Sequence, residues 1–137
     1  MILLKDLLYE MSSLNLLIPR RVEGRTEKYI QAKIRQYIKD KNVGDFDISG
    51  LKLTTLPALL KNLKIGGNFF CRYNNLDSLV GAPTSVDLDF LCNNNKLTSL
   101  VGAPTSVGLD FECYDNVVKF TEKQVRAVCD VKGRVIL

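Results

Sequence analysis

The sequence predicts an α/β repeat fold, a short solenoid whose stacked units align their strands in one parallel ladder. Two observations lead to this prediction. The first is a 21-residue repeat, since residues 76–95 read LDSLVGAPTSVDLDFLCNNN and residues 97–116 read LTSLVGAPTSVGLDFECYDN. The second is the period-two alternation within each copy, as in Leu88, Phe90 and Cys92, which is typical of a half-buried strand.

A third, less regular copy precedes these two. Four of its residues keep the spacing of 21, whereas its leucines lie 23 residues before their equivalents, which indicates a two-residue insertion. The four residues are Ile65, Phe69, Cys71 and Asn74, and the leucines are Leu53 and Leu56. A weaker trace at residues 43–53, with Phe46 and Ile48, is predicted to be the first, capping turn. One such unit cannot bury its apolar face alone, so stacked units are expected to share a core.

Two regular columns of residues are predicted to belong to the scaffold. They are Asn74, Asn95 and Asn116, and Cys71, Cys92 and Cys113. The asparagine amides are expected to satisfy backbone groups at each corner, because buried polar groups need partners. The cysteines, together with Cys129, are predicted to be reduced thiols that pack in the core. With no histidine and no C-x-x-C pair, the sequence predicts neither a metal site nor a cofactor.

Helices are predicted at both ends of one compact domain. The chain is divided into an N-terminal helical cap at 1–44, the solenoid at 45–120 and a C-terminal cap at 121–137. Apolar spacings of three and four predict a helix over residues 2–18 and a second from the N-cap Thr26 to about Lys41. The second helix should have one apolar face, formed by Ile30, Ile34, Tyr37 and Ile38. The two helices are expected to form a hairpin over the first repeat, since an open solenoid end needs a cap.

The C-terminal cap is predicted to be a short helix followed by a strand. Thr121 and Gln124 have the spacing of a capping box, which predicts a helix to about Val131. Residues 134–137 are predicted to form the final strand. The side chains expected to face the last repeat are Val125, Val128 and Cys129.

The repeat resembles two groups of known proteins. Its core, F-x-C-x-x-N-x-L-T-x-L, resembles the short leucine-rich repeats of bacterial effector proteins. The fuller pattern, L-T-S-L-V-G-A-P-x-x-V-x-x-D-F-x-C-x-x-N, is similar to leucine-rich-repeat-like proteins of tailed bacteriophages and bacteria. The resemblance covers roughly residues 46–120, with Phe and Cys in place of Leu. It implies a leucine-rich-repeat-type solenoid that binds a protein with its strand face, and a phage-type protein directed at a host enzyme or defence factor.

The outward positions of the ladder are the first candidate binding site. If Phe90 and Cys92 point inward, their neighbours along the strand point outward, and Phe70 and Leu91 should form an exposed apolar pair within a charged rim. The predicted strand-face residues are Asn68, Phe70, Arg72, Asp89, Leu91, Asn93, Asp110, Glu112 and Tyr114. In the alternative interpretation the N-terminal helices cover Phe70 or Leu91, and the face binds no partner.

A basic stretch at residues 20–41 is the second candidate. It holds eight basic and three acidic residues, a local excess of five positive charges against a net charge of +4 for the chain. A nucleic-acid or ribonucleoprotein-binding adaptor would use it to contact phosphates, although charge runs are usually solvated helix faces. The residues assigned to this contact are Arg20, Arg21, Arg25, Lys28, Arg35 and Lys39.

These features predict a protein that binds partners and is not an enzyme. The absence of histidine removes the commonest general base, and Asp89 and Asp110 have no nucleophile or phosphate loop beside them. The leading hypothesis is a protein–protein interaction module that inhibits or redirects its partner. A virion or assembly component is a further alternative. No signal peptide or membrane span is evident, so we expect a cytoplasmic protein, in the host cytoplasm if phage-encoded.

Overall fold

The computed structural model describes residues 22–137, with the side chains described from residue 26 onward. The chain divides into two compact units, Met1–Lys41 and Asn42–Leu137, which are treated separately below. The helix predicted over residues 2–18 lies outside the described residues, as do Arg20 and Arg21.

The described part of the first unit is helix α1, Val22–Lys39. The helix already includes Val22, so Thr26 lies inside it, and the prediction of Thr26 as the N-cap is wrong. Ile30, Ile34 and Tyr37 are buried, as their spacing of four and three predicts. Ile38, predicted on the same face, is 51% exposed. At about 100° of rotation per residue, Ile38 points well away from Tyr37 and falls at the margin of the buried stripe.

The second unit contains two parallel sheets of stacked, two-residue strands. The first sheet has five strands, which in spatial order are β1 (Phe46–Asp47), β3 (Phe69–Phe70), β5 (Phe90–Leu91), β7 (Phe111–Glu112) and β9 (Val135–Ile136). The second has four strands, β2 (Lys64–Ile65), β4 (Ser85–Val86), β6 (Ser106–Val107) and β8 (Asp130–Val131). A 3-10 helix at Ala58–Leu60 precedes β2.

The register of the first sheet confirms the predicted parallel ladder. Phe69 pairs with Phe90 and Phe90 with Phe111, so the 21-residue spacing of the sequence is the spacing of the rungs. Phe46 pairs with Phe69, and the weak trace at residues 43–53 therefore contributes a rung of its own. Val135 pairs with Phe111, which confirms the predicted final strand as a fifth rung.

The second sheet was not predicted from the sequence. One residue of each strand is buried, and these residues form a column of Ile65, Val86, Val107 and Val131. The helix was expected to continue to Val131, but it ends at Val128 (α2, Glu122–Val128) and the chain re-enters a sheet. The cause is the ladder itself, because the Asp130 N–H donates to the Thr105 carbonyl over 2.9 Å, as one more strand of the stack.

Helix α2 begins as predicted. The Gln124 N–H donates to the Thr121 hydroxyl over 3.2 Å, and the Thr121 N–H donates to the Gln124 side-chain oxygen over 2.9 Å, so the capping box is confirmed. Val125 and Cys129 are buried as expected, but Val128 is 48% exposed. The buried stripe of this seven-residue helix follows the spacing of four from Val125 to Cys129, and Val128 lies beside it.

Stacked aromatic rings form the centre of the core. Phe46, Phe69, Phe90 and Phe111 are all fully buried. The ring centroids of successive residues lie 5.9, 5.6 and 5.0 Å apart. Burial of each ring stabilises the fold by about 1.5–3 kcal/mol, so the column is a large share of what holds the rungs together.

An internal asparagine ladder closes each corner, as predicted. The Asn95 amide group donates to the Cys71 carbonyl over 3.0 Å and to the Cys92 carbonyl over 3.1 Å, while its oxygen accepts the Leu76 N–H over 3.1 Å. Asn74 and Asn116 make the equivalent bonds on the rungs before and after. Each amide thus ties a rung to the one before it.

Candidate functional site

The outward side of the five-stranded sheet is the candidate site, here called the strand face. The phenylalanine and cysteine columns point into the core, so the alternation of the strands directs the intervening side chains to the opposite side. The strand face consists of Asp45, Asp47, Ser49, Asn68, Phe70, Arg72, Asp89, Leu91, Asn93, Asp110, Glu112, Tyr114, Arg134 and Ile136. Sequence reasoning missed the outward residues of the first and last rungs, although these rungs could be recognised at Phe46 and Val135. The missed residues are Asp45, Asp47, Ser49, Arg134 and Ile136.

Side chains along one edge of the strand face form a second ladder. Each accepts the backbone N–H of its equivalent on the next rung: Asp45 from Asn68 over 2.8 Å, Asn68 from Asp89 over 2.8 Å, Asp89 from Asp110 over 2.9 Å, and Asp110 from Arg134 over 2.8 Å. Three residues predicted to contact a partner, Asn68, Asp89 and Asp110, therefore use one oxygen each to hold the scaffold.

The centre of the strand face differs from the prediction. Leu91 is only 6% exposed and Asn93 is fully buried, so the prediction of an exposed Phe70–Leu91 pair is wrong for Leu91. Leu91 pairs with Phe70 on one side and Glu112 on the other. Rungs lie about 4.8 Å apart, so two longer side chains flank Leu91 closely. Phe70 itself is half-buried.

Arg72 packs against aromatic rings on the same face. Its guanidinium carbon lies 5.3 Å from the centroid of the Phe70 ring and 6.0 Å from that of Tyr73. These are cation–π distances, and this attraction favours the position of Arg72 over the half-buried Phe70. Tyr114, two rungs along the ladder, is also half-buried. An arginine and two aromatic residues are thus partly accessible around the buried centre.

The carboxamide of Asn93 is only partly satisfied. Its amide nitrogen donates to the Asn94 side-chain oxygen over 2.7 Å, whereas its own oxygen, Oδ1, is buried and accepts no hydrogen bond. Arg72 and Tyr114 occupy the equivalent position on the neighbouring rungs, since the Tyr73 N–H donates to the backbone carbonyl of Asn93 and the Asn94 N–H donates to that of Tyr114. Most buried polar atoms in proteins are paired, so this oxygen is an exception that needs a reason.

The strand face is acidic although the whole chain is basic. It carries five carboxylates, from Asp45, Asp47, Asp89, Asp110 and Glu112, against the two guanidinium groups of Arg72 and Arg134, a balance of −3. The chain as a whole has a net charge of +4. The positive charges therefore lie elsewhere on the molecule.

Two of these carboxylates have shifted pKa values. Hydrogen bonds from the Arg134 side chain, at 2.8 Å, and from its backbone N–H lower the pKa of Asp110. The pKa of Glu112 is raised, first by removal from water and then by the charge of Asp89, and Arg72 offsets this only in part. Glu112 is thus a carboxylate that lacks a sufficient cationic partner.

The cysteine column offers no chemistry at this site. All four thiols are free and buried, as predicted. Burial raises the pKa of Cys71 and Cys92 well above the ordinary value, and that of Cys113 and Cys129 to about 11. Because the thiolate is the reactive form, these groups are inert near neutral pH. Among the residues the structure describes, no cluster of three or more His, Cys, Asp or Glu side chains could hold a metal ion.

Only part of the basic stretch lies within the described residues. Arg20 and Arg21 fall outside the described residues, and the side chain of Arg25 is not among those described. Lys28, Arg35 and Lys39 lie on α1, and at about 100° per residue these positions share one side of the helix, as predicted. Lys39 is exposed, whereas Lys28 and Arg35 are partly buried.

Comparison with known proteins gives no match, whether to a protein-family model, a curated protein or a solved structure. Over residues 22–137, no helix combines the length and apolar character that crossing a bilayer requires.

Proposed function

We propose that this chain is a non-enzymatic protein–protein interaction module of the leucine-rich-repeat type, which docks a protein partner on its strand face. The observation that carries the proposal is where the two regular copies differ. Residues 76–95 and 97–116 are identical at the inward-facing core positions and at the corner asparagines, and two of their five differences, Leu91/Glu112 and Asn93/Tyr114, lie on the strand face. A third difference, Asn94/Asp115, lies directly beside them. Scaffold positions are constrained by stacking, so variation concentrated on one face is expected where that face is adapted to a partner.

The composition of the strand face supports the same proposal. Its partly accessible residues include Phe70, Arg72 and Tyr114, and aromatic residues and arginine are the types most enriched in binding hot spots. The backbone beneath them is held by the outer side-chain ladder and by the asparagine ladder. A rigid, pre-organised surface loses little conformational entropy on binding.

The sequence resemblance suggests the biological setting. Similarity to repeat proteins of tailed bacteriophages and bacteria supports a host-directed role, in which the chain binds and inhibits or redirects a host enzyme or defence factor in the host cytoplasm. In this setting the partner is a protein, and neither a cofactor nor a membrane contributes to binding.

Affinity capture with paired variants tests the strand face. The tagged full chain is used as bait in a bacterial lysate, and captured proteins are identified by mass spectrometry. Phe70→Ala combined with Tyr114→Ala should lose a partner that the unmodified chain retains. Lys64→Glu combined with Ser106→Ala changes outward positions of the second sheet and should retain it. Equal capture by both double variants, with unchanged circular dichroism, would rule out the strand face as the docking surface.

A second candidate function is binding of nucleic acid or a ribonucleoprotein through α1. The supporting observation is that Lys28, Arg35 and Lys39 share one side of the helix. Such binding should weaken linearly on a log–log plot against salt concentration, with a shallower slope after Lys39→Glu. Absence of retention on heparin and on RNA at low salt would eliminate this candidate.

A further inference from the structure

The unpaired oxygen of Asn93 indicates what kind of group the strand face lacks. Asn93 Oδ1 is a hydrogen-bond acceptor that is buried and accepts no bond, so the group missing from it is a donor. The nitrogen of the same amide already donates to Asn94 over 2.7 Å, which fixes the orientation of the carboxamide. Arg72 and Tyr114 lie on either side of Asn93, and neither donates to this oxygen.

Glu112 provides a second acceptor, a carboxylate with too little positive charge beside it. It pairs with Leu91, two residues before Asn93, so the rung spacing of about 4.8 Å and the rise of about 3.3 Å per residue place the two positions about 8 Å apart. Its pKa is raised by loss of water and by Asp89, with only partial compensation from Arg72. A neutral acceptor and an under-compensated carboxylate thus lie within reach of one branched donor group.

We propose that the partner inserts one basic side chain, an arginine or a lysine, into the strand face, donating to Asn93 Oδ1 and pairing with the Glu112 carboxylate. This inference rests on the proposed function and names the partner's chemistry. The negative balance of the strand face attracts a basic side chain and repels phosphate, so the partner's contact is a peptide and not a nucleic acid. Arginine fits best, because its planar fork carries five N–H donors and can serve both acceptors together.

The partner's side chain enters beside Arg72. The guanidinium of Arg72 lies over Phe70, one rung from Asn93, and this partly exposed side chain can change rotamer to make room for the partner's group. Insertion then places a partner cation close to Arg72, which requires the negative charges of Asp89 and Glu112 to offset their repulsion. The site is consequently selective for a single basic group within an otherwise neutral or polar segment.

An NMR titration of the full chain tests the site. The probe is N-acetyl-arginine N-methylamide added to the ¹⁵N-labelled protein, and its neutral isostere N-acetyl-citrulline N-methylamide is the ligand control. We expect saturable shifts of the Asn93 side-chain amide and the Glu112 backbone signal with arginine only. Glu112→Gln should weaken the affinity about tenfold, since a charge-assisted hydrogen bond is lost. Asp77→Asn removes an exposed carboxylate away from the strand face and should leave the affinity unchanged.

Three other outcomes of the titration would overturn the inference. Equal shifts with citrulline show that charge is not recognised. Equal weakening by Asp77→Asn and Glu112→Gln shows attraction to net charge without a site. No shift at Asn93 removes the site altogether, and the spectra themselves report whether each variant is folded. The capture experiment decides separately whether a protein binds the strand face: capture without an arginine shift contradicts only this inference, and an arginine shift without capture contradicts only the proposed function.

Discussion

The Asp89 carboxylate accepts the backbone N–H of Asp110, its equivalent on the next rung, over 2.9 Å. The same relationship joins Asn68 to Asp89 and Asp110 to Arg134. The position before each of the first four strands of this sheet therefore requires a side chain of fixed length with an acceptor oxygen. Whether that side chain is charged is of secondary importance, because an asparagine performs the same role at position 68.

This relationship predicts that Asp89→Asn is tolerated and Asp89→Ala is not. Asparagine keeps the acceptor for the Asp110 N–H, whereas alanine removes it and should cost about 1 kcal/mol of unfolding free energy. Urea unfolding followed by circular dichroism measures both variants. A loss of stability in Asp89→Asn as large as that in Asp89→Ala would show that charge, and not the hydrogen bond, matters here.

The internal asparagine ladder should be more sensitive. Asn95 is buried and bonds to the Leu76 N–H and the Cys71 and Cys92 carbonyls, so Asn95→Ala leaves several buried backbone groups unpaired. We expect a loss of about 3 kcal/mol in the free energy of unfolding. Lys96→Ala, at the exposed neighbouring position, should change it little. Similar urea midpoints for the two variants would contradict the structural role of the ladder.

Protonation of Asp110 should account for part of the loss of stability in acid. The Arg134 side chain and backbone N–H lower the pKa of Asp110 in the folded state. Because the pKa of Asp110 is lower in the folded than in the unfolded state, its carboxylate stabilises the fold fully above the unfolded-state pKa of about 3.9. This stabilisation is lost as the pH falls through the folded-state pKa. Asp110→Asn should therefore reduce the urea midpoint at about pH 7 but much less at about pH 2. Arg134→Ala should weaken this dependence without abolishing it, because the backbone N–H still donates.

A destabilising effect of Asp110→Asn that is the same at both pH values would contradict this account. Such a result would indicate that the side chain stabilises the last rung through its shape alone.

Two glycines allow backbone strain to be separated from crowding. Gly102 and Gly44 have nearly the same positive φ, 89° and 88°. A Cβ at Gly102 would collide with the backbone of Leu79 and Val80, while nothing lies within 4 Å of a Cβ at Gly44. Gly44→Ala should cost about 1–2 kcal/mol for the left-handed conformation, and Gly102→Ala about 3 kcal/mol or more. Thermal unfolding measures the difference, and equal effects would show that the turn at Gly102 can relax.

The first sheet could be predicted from the sequence because identical residues recur at a constant distance. Phe69, Phe90 and Phe111 must occupy equivalent positions once the repeat is recognised, and pairing of equivalents defines a parallel ladder. The second sheet could not be recognised as a sheet, although its buried residues Ile65, Val86 and Val107 recur at the same distance. Each of its strands has two residues with only one buried, as in Ser85–Val86, so no alternation marks the segment as a strand.

The candidate site was less predictable than the scaffold. Alternation along the strand correctly separates inward from outward positions, but it does not determine how exposed an outward residue is. Leu91 lies between Phe70 and Glu112 on the neighbouring rungs, and the repeat predicts these neighbours without predicting how far their side chains cover it. The role of Asp89 in the outer ladder is likewise a contact between rungs and has no signature within one copy.

The Asn95 and Asp89 ladders have a consequence for how this gene can change. The Asp89 ladder joins each residue to its equivalent 21 positions away. The asparagine ladder joins Asn95 to Cys71 and Asn116 to Cys92, each 24 positions away, so both junctions of the rung at residues 76–96 have the same form. Unequal recombination between neighbouring copies can therefore delete or duplicate one rung and still leave every ladder bond with a partner. Such an event would alter the length of the binding surface in a single step, without any compensating substitution in the core.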